Sequence, residues 1–473
     1  MTSSPLAPAW LSLPADVNDL RSVQWAAGVA RSEGGELAVQ GIKVSDLARE
    51  FGTPLFVLDE DDFRARARGF KEAFDAAFES ICGGVDVYYA GKAFLSTEVA
   101  RWVTAEGLRL DTCSGGEMAV ARVAKVPPAN LSLHGNNKSV TEIRTALEAD
   151  LGRIVVDSLD ELERVALLAR ETGKRANVML RLTPGVHAST HEFIATAHED
   201  QKFGLSMVQL GQDASPATTA VDFALGHPEL NLLGLHAHIG SQIFEAEGFA
   251  LVAQKMLTFM AGIKAAHGIE LPELDLGGGY GIAYTEADTP REPALLAAAM
   301  AEVVAATAAE LGLKVPRISI EPGRAIAGPT TFTLYEAGVR KSVAVETADG
   351  TLAPRRYVSV DGGMSDNARP VLYDADYTAV LASRVTESEP IISRVVGKHC
   401  ESGDIVVRDV YLPEDVAAGD LLAVPGTGAY CWALSSNYNY LGRPAVVAVR
   451  NGAARAIIRR ETEADLLARD LGA

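Results

Sequence analysis

Between Val85 and Ile320 the chain repeats one pattern eight times: a short apolar run, then, in most cases, an amphipathic stretch with helical spacing. The strand candidates are Val85–Ala90, Leu108–Thr112, Asn130–His134, Arg153–Val156, Asn177–Leu182, Asn231–His238, Leu271–Leu276 and Arg317–Ile320. Helices are expected over Thr97–Glu106, Glu117–Ala124, Val140–Glu148, Leu159–Thr172, Gly248–His267 and Pro293–Leu311. Ser158 before Leu159, with Asp160 and Glu161 in the first turn, is a typical helix start, because a serine oxygen caps free N–H groups and acids complement the helix dipole. Eight such units predict a closed parallel barrel with helices outside. Alternation alone leaves an open, doubly wound sheet as the alternative.

At 473 residues the chain is too long for one ordinary core, so a second domain is expected. The barrel rhythm stops near Pro329. Thr331–Val345, Arg356–Val360, Ile405–Tyr411, Leu421–Val424 and Ala445–Val449 then read as strands separated by Gly, Pro and Asp turns, with a closing helix over Glu461–Leu471. The expected organisation has four parts. Residues 1–35 form a loosely structured lead-in, and residues 36–60 join the β domain, with Gly35–Val39 pairing into it. Residues 61–329 form the (β/α)8 TIM-type barrel, and 330–473 an all-β domain, sandwich- or barrel-like. The fifth barrel unit carries an insertion, roughly His187 to His227. His187, His191 and His198 sit there beside Glu192, Glu199 and Asp200, without clean ligand spacing, so no metal site is expected.

Charge excludes some partners. Lysine and arginine total 43 against 62 acids, a net charge of −19, which disfavours nucleic acid and anionic membranes. The four cysteines, Cys82, Cys113, Cys400 and Cys431, are scattered and suit a reducing compartment. Met1–Leu20 lacks a basic stretch before an apolar run, so no secretory signal is expected, and Ala294–Ala309 is too short to span a bilayer. The cytoplasm is the expected location.

Barrels of this kind carry their chemistry at the C-terminal ends of the strands. Those ends here offer Lys92; Asp111 and Ser114; His134; Asp157; Arg181; His236 and His238; Gly277-Gly278-Gly279; and Glu321-Pro322-Gly323-Arg324. A lysine at a buried strand end is expected to be desolvated, which lowers its pKa and makes its amine a nucleophile able to form a Schiff base. Successive glycines let backbone N–H groups approach an anion, and Arg324 supplies a fixed guanidinium for a phosphate or carboxylate. A phosphate there with a reactive lysine across the mouth suggests pyridoxal phosphate. Glu321 would then keep the pyridine nitrogen protonated, and His236 or His238 could lie against the ring. Arg369 and Tyr373, four apart, could be aimed at one carboxylate by a single helical turn.

The segments Tyr89–Ala93, Asp111–Met118, His134–Lys138, Gly234–Gln242, Asp275–Gly279, Glu321–Arg324, Cys400–Asp404 and Gly426–Tyr430 resemble the diaminopimelate decarboxylase family of fold-type III pyridoxal-phosphate enzymes. The resemblance runs over nearly all of the chain from about Gly41, and Cys-Glu-Ser-Gly-Asp at 400–404 favours this branch over ornithine or arginine decarboxylases and over racemases. It implies that Lys92 carries the cofactor, His238 stacks on its ring and Glu321 pairs with its nitrogen. Ser241, Gly277, Gly278, Gly279, Arg324 and Tyr430 would hold its phosphate, and Pro322 and Gly323 would also bind the cofactor. Arg324, Arg369, Tyr373, Glu401 and Tyr430 would recognise the distal end of meso-diaminopimelate. Cys400, supplied across a homodimer interface, would protonate the carbon that loses carbon dioxide, giving L-lysine. A non-catalytic regulator is disfavoured because Lys92, Glu321, Arg324 and Cys400 are all retained.

Overall fold

The computed structural model describes residues 3–185, 201–209 and 211–472. The chain divides into two compact units: one comprises residues 66–281 and 290–323, the other residues 1–65, 282–289 and 324–473.

The first unit is a closed barrel of eight parallel strands. In chain order they are Val85–Ala90, Arg109–Thr112, Leu131–Leu133, Arg153–Val156, Ala176–Thr183, Leu230–His236, Glu273–Asp275 and Arg317–Ile320. Each pairs with its neighbours in sequence. The fourth joins the fifth (Val155 opposite Met179), and the eighth returns to the first (Ile320 opposite Val87), so no edge is left open. Local chemistry sets the helix starts: Ser96, Ser114, Ser139, Ser158 and Ser215 each accept a bond from an N–H in the first turn of the helix that follows. The two most apolar helices, Glu247–His267 and Pro293–Glu310, turn Phe249, Met256, Leu296, Met300 and Val304 inward.

One difference from the sequence reading concerns the fifth unit. Part of the presumed insertion is the helix Pro216–Gly226, which leads into the sixth strand. Its run of Ala, Thr, Val and Phe has little polar contrast between faces, so periodicity hides it. The three histidines and three acids of 187–200 lie outside the described residues.

The second unit is a mixed sheet. Its main path runs Ile405–Pro413, Pro390–Val396, Leu352–Val360, Thr331–Glu346, Leu55–Asp59, Ala445–Arg450, Ala453–Ile458, and Leu421–Pro425 pairs on the side with Thr331–Glu346. The strand that reaches it from the N-terminal part is Leu55–Asp59, antiparallel to Thr331–Leu334 and parallel to Ala445–Val449. Leu37–Val39 instead makes a small antiparallel sheet with Val29–Arg31 and Ile42–Lys43, because the Gln40-Gly41 turn, with φ of 50° and 80°, folds the chain back locally. Trp25, Leu37, Val39, Val57, Phe332, Leu334 and Val447 share one core, and at roughly 1.5–3 kcal/mol per large buried side chain such a cluster suffices to order the segments that supply it.

Candidate active site

The barrel interior is charged at its centre. Arg153, 1% exposed, begins the fourth strand and reaches side chains from five others. It donates to Asp275 through Nη2, to Ser319 Oγ through Nη1 (3.0 Å) and to Ser132 Oγ through Nε (3.3 Å), and its guanidinium lies 3.8 Å from the Tyr88 ring centre. Asp275 is fully buried and accepts from Ser319 Oγ (2.8 Å) and from the N–H of Gly277 (2.7 Å). Burial alone would weaken the Arg153 cation, but Tyr88 and the surrounding carboxylates raise its pKa and keep it charged. A buried ion pair of this kind is costly to form but costlier to break.

Above it Asp111, His134, His236 and Glu321 converge. His134 Nε2 is 3.2 Å from Asp111 Oδ1 and 3.3 Å from Glu321 Oε1, and His236 Nε2 is 3.1 Å from the same Glu321 oxygen. Burial pushes Asp111 well above the usual carboxylate range, and the charge of Glu321 pushes it further. Glu321 moves the other way: burial favours its acid form, yet His236 beside it, followed by the Arg153 charge, outweighs burial and shifts it well below the usual carboxylate range. Two carboxyl groups in one site are thereby separated into a proton carrier and an anion. Burial lowers His134 to about 4, so it is neutral at pH 7.

The donor atoms of His134, His236 and Glu321 lie within 4.8 Å of one another, a spacing a cation could use. A metal ion or a pyridinium nitrogen would each draw on the Glu321 carboxylate. The glycines favour the pyridoxal group. Gly277 and Gly279 have φ of 70° and 112°, and a Cβ on Gly278 would sit 2.1 Å from the Glu321 carbonyl oxygen, so no side chain fits on this turn. The turn is seated by Tyr280, whose ring meets Phe70, Phe74 and Phe249 at 5.3, 6.0 and 4.9 Å. The Gly278 N–H donates to His238 Nδ1 (3.4 Å), and burial followed by the Lys92 charge lowers the His238 pKa well below its usual value. His238 is thus a neutral ring, suited to lying against a cationic one. Lys92 follows the first strand in the turn Gly91–Ala93. Its side chain is exposed at the mouth, whereas the sequence reading made it desolvated; its charge acts on His238, Cys113 and Glu117. Pro322 O accepts from the Ala90 N–H (3.2 Å), and a Cβ on Gly323 would approach that of Ala90 to 2.9 Å, so the Glu321 loop and the lysine turn are locked together. Ser241 is exposed, next to Gln242 at φ 61°. A lysine in the open, a neutral imidazole, an ionised carboxylate and a bare glycine turn fit pyridoxal phosphate.

The second unit holds the remaining candidates in two groups. In the first, Arg324 opens the short helix Arg324–Ala327, donates to the Tyr284 hydroxyl and lies 4.9 Å from the Tyr430 ring centre. A Cβ on Gly428 would meet the Ala327 carbonyl oxygen at 1.8 Å; this close approach brings Tyr430, itself at φ 62°, beside Arg324. Arg369 is buried, donates to Tyr377 Oη (2.5 Å) and lies 4.5 Å over the Tyr284 ring. Burial acts to lower its pKa, but Tyr377 and Tyr284 raise it on balance.

In the second group, Cys400 and Glu401 are exposed. Their loop is held by the next acid of the motif: buried Asp404 accepts from His399 N (2.8 Å), His399 Nδ1 (2.9 Å) and Met364 N (2.6 Å). The Cys400 N–H donates to Asn439 Oδ1 (3.1 Å). Tyr373 is 64% exposed while Arg369 is 6% exposed, so the five-residue helix Arg369–Tyr373 does not aim both at one point; the helix is wedged between core and solvent and its two ends face different surroundings.

Comparison with known proteins agrees with this geometry. Residues 60–328 match the pyridoxal binding domain of the pyridoxal-dependent decarboxylases, and residues 289–428 match their C-terminal sheet domain. The diaminopimelate decarboxylase of Mycobacterium tuberculosis is 52% identical over 447 residues, covering 94% of this chain and 96% of that protein. That of Corynebacterium efficiens is 50% identical over 95% of each chain. The chain belongs to the diaminopimelate decarboxylase family. Among solved structures, the diaminopimelate decarboxylase of M. jannaschii in complex with L-lysine superimposes with a TM-score of 0.85 at 31% identity, covering 94% of this chain and 98% of that one.

Several residues that shape these regions are not among the site residues expected from the sequence. Arg153 and Asp275 read as strand residues, yet they pair at the centre of the barrel; the signals are a charge placed inside an apolar strand and, for Asp275, its place at the head of the glycine segment. Lys138, in the His-Gly-Asn-Asn-Lys motif, is a buried brace bonded to Glu161 (2.9 Å) and to the carbonyls of Val155 and Gly135 (2.6 Å each). Tyr284 and Tyr377 gave no signal at all, because an isolated tyrosine in a loop has none.

Proposed function

We propose that this chain decarboxylates meso-2,6-diaminopimelate to L-lysine and carbon dioxide with pyridoxal phosphate, the last step of lysine biosynthesis, in the cytoplasm. The observation that carries the reading is a family match over nearly the whole chain, together with a barrel mouth that holds Lys92, His238, Glu321 and the bare glycine turn.

Pyridoxal phosphate supplies, when bound, a sink for the electron pair left by the departing carboxylate. Lys92 anchors it, and Glu321 holds a proton at the ring nitrogen. His238 supports one ring face. The N–H groups of Gly277 to Gly279, with Ser241, Arg324 and Tyr430, bind the phosphate, and Pro322 and Gly323 belong to the cofactor-binding set. Arg324, Arg369, Tyr373, Tyr430 and Glu401 take the distal carboxylate and ammonium groups. Cys400 Sγ delivers a proton to the carbon that has lost carbon dioxide.

The enzyme works as a homodimer in which Cys400 and Glu401 serve the partner's barrel. In support, the Cys400 loop stands among exposed apolar side chains: Tyr438 stacks on His399 at 5.6 Å, Gly403 adjoins Val371, and Leu372, Tyr373 and Tyr440 are each more than half exposed. A test of the reaction measures carbon dioxide released from meso-diaminopimelate beside ornithine, arginine and lysine. Release from the first alone is expected, and preference for ornithine or arginine would overturn the substrate. A test of the dimer mixes Lys92→Ala with Cys400→Ala protein under subunit exchange. Heterodimers holding one intact site should regain part of the activity, and no recovery would contradict a shared site.

A further inference from the structure

Tyr284 lies in the segment 282–289, just beyond the glycine turn in sequence, and no motif includes it. It is 6% exposed and touches both arginines of the first group. Its hydroxyl accepts from Arg324 Nη1, and the Arg324 guanidinium lies 5.6 Å from its ring centre. The Arg369 guanidinium lies 4.5 Å from the same ring centre. Tyr377 closes another side edge-on, with ring centres 5.1 Å apart at 74°, and Gly426, at φ 73°, leaves room where a Cβ would reach the Tyr284 ring at 3.3 Å. Two guanidinium groups sharing one neutral ring repel each other, and the ring's negative face offsets only part of that. Two guanidinium groups held against one ring form a pair of positive charges that one carboxylate could reach.

The backbone around Tyr284 is also fixed. Asp288 Oδ2 accepts from the N–H groups of Tyr284 (3.0 Å) and Thr285 (2.9 Å). From the N-terminal segment, Gln24 Nε2 donates to the Tyr284 carbonyl (3.4 Å), while Arg21 and the Ser12 N–H both engage Glu286. Trp25, next to Gln24, is buried 5.9 Å from the Phe332 ring. Part of the lead-in thus acts as a strap over this segment.

We propose that Tyr284 is a positioning residue that holds Arg324 and Arg369 as one anion clamp and so sets selectivity for ligands carrying the distal carboxylate. The proposal rests on the substrate reading above. It predicts a selective loss. L-lysine keeps the distal α-amino acid end of the substrate, whereas 1,5-diaminopentane lacks its carboxylate. The test compares wild-type and Tyr284→Phe holoenzyme, with cofactor absorbance and melting temperature confirming equal loading and folding. Losing one hydrogen bond to a charged group should weaken L-lysine binding and raise KM for meso-diaminopimelate by about tenfold. Diaminopentane binding and kcat should stay within about twofold, since neither depends on a bond to the carboxylate. Tyr284→Leu, which also removes the ring, should lose more in the same direction. Unchanged L-lysine binding, equal weakening of both ligands, or loss of cofactor in Tyr284→Phe would each overturn the proposal. Failure of the substrate reading shows differently, as wild-type protein that releases no carbon dioxide from meso-diaminopimelate.

Discussion

The barrel mouth and the Cys400 loop solve opposite problems. In the barrel, Asp111, His134, Arg153, His236, Asp275 and Glu321 are all less than a tenth exposed, so their charges must be balanced by one another as the chain folds. At the loop, Cys400, Glu401 and Tyr373 are exposed, and the acid that shapes the loop, Asp404, is the one that is buried. The charged groups of the barrel interior are thereby made rigid at a cost in folding energy. The side chains of this loop proposed to reach the substrate stay in the open, where they cost folding little and their surroundings can change. The two regions should therefore fail in different ways when mutated.

The largest effect on that comparison comes from the exposed side. Cys400→Ala should lower kcat by about 10²- to 10⁴-fold, the range for loss of a positioned proton donor. Cofactor absorbance and the urea midpoint should match wild type, because an exposed thiol contributes little to folding. A variant that loses stability along with activity would show that the loop is structural.

From the buried side, Arg153→Met should act first on folding. It leaves Asp275 charged and without its cation, which costs about 3–5 kcal/mol for a buried pair. Urea unfolding of the two proteins measures this directly. The Gly277 N–H bonded to Asp275 should lose its anchor too, so cofactor affinity should fall with stability. Arg153→Met protein with a wild-type midpoint would mean that Asp275 takes up a proton at little cost, and the contrast between the two regions would weaken.

How far the sequence revealed these regions follows from the same physics. Strand–helix alternation is a local signal, so all eight barrel strands and the polar groups at their ends could be read directly. Lys92, His238 and Glu321 sit where the alternation places them. The sequence could not show that Lys92 is open and Asp111 closed, since exposure depends on neighbours hundreds of residues away, such as Glu321. Nor could helical spacing decide between Arg369 and Tyr373. Four residues apart, they share a helix but not an environment. Leu37–Val39 was readable as a strand and not as to its partner, because pairing is settled by a two-residue turn that competes with a distant sheet.

The smallest expected effect concerns pH, and here the two units oppose each other. Asp366 in the sheet unit is pushed up to about 7, mainly by burial, although it accepts bonds from the Tyr335 hydroxyl and the Gly363 N–H. The folded protein holds that proton after the unfolded chain has released it near pH 4. Its contribution is full below pH 4 and is lost as pH rises to about 7. His134 in the barrel, lowered to about 4 by burial, behaves in reverse: its contribution is full above pH 6.5 and is lost as pH falls toward 4. A flat stability profile between pH 4 and 6.5 would thus conceal two slopes. Asp366→Asn removes one of them. Whatever its absolute stability, the variant should gain on wild type by about 1–3 kcal/mol as pH is raised from 4 to 7, read as a difference in urea midpoints. A constant difference across that range would show that Asp366 is already ionised in the folded protein, bound by Tyr335 and Gly363 strongly enough to overcome its burial.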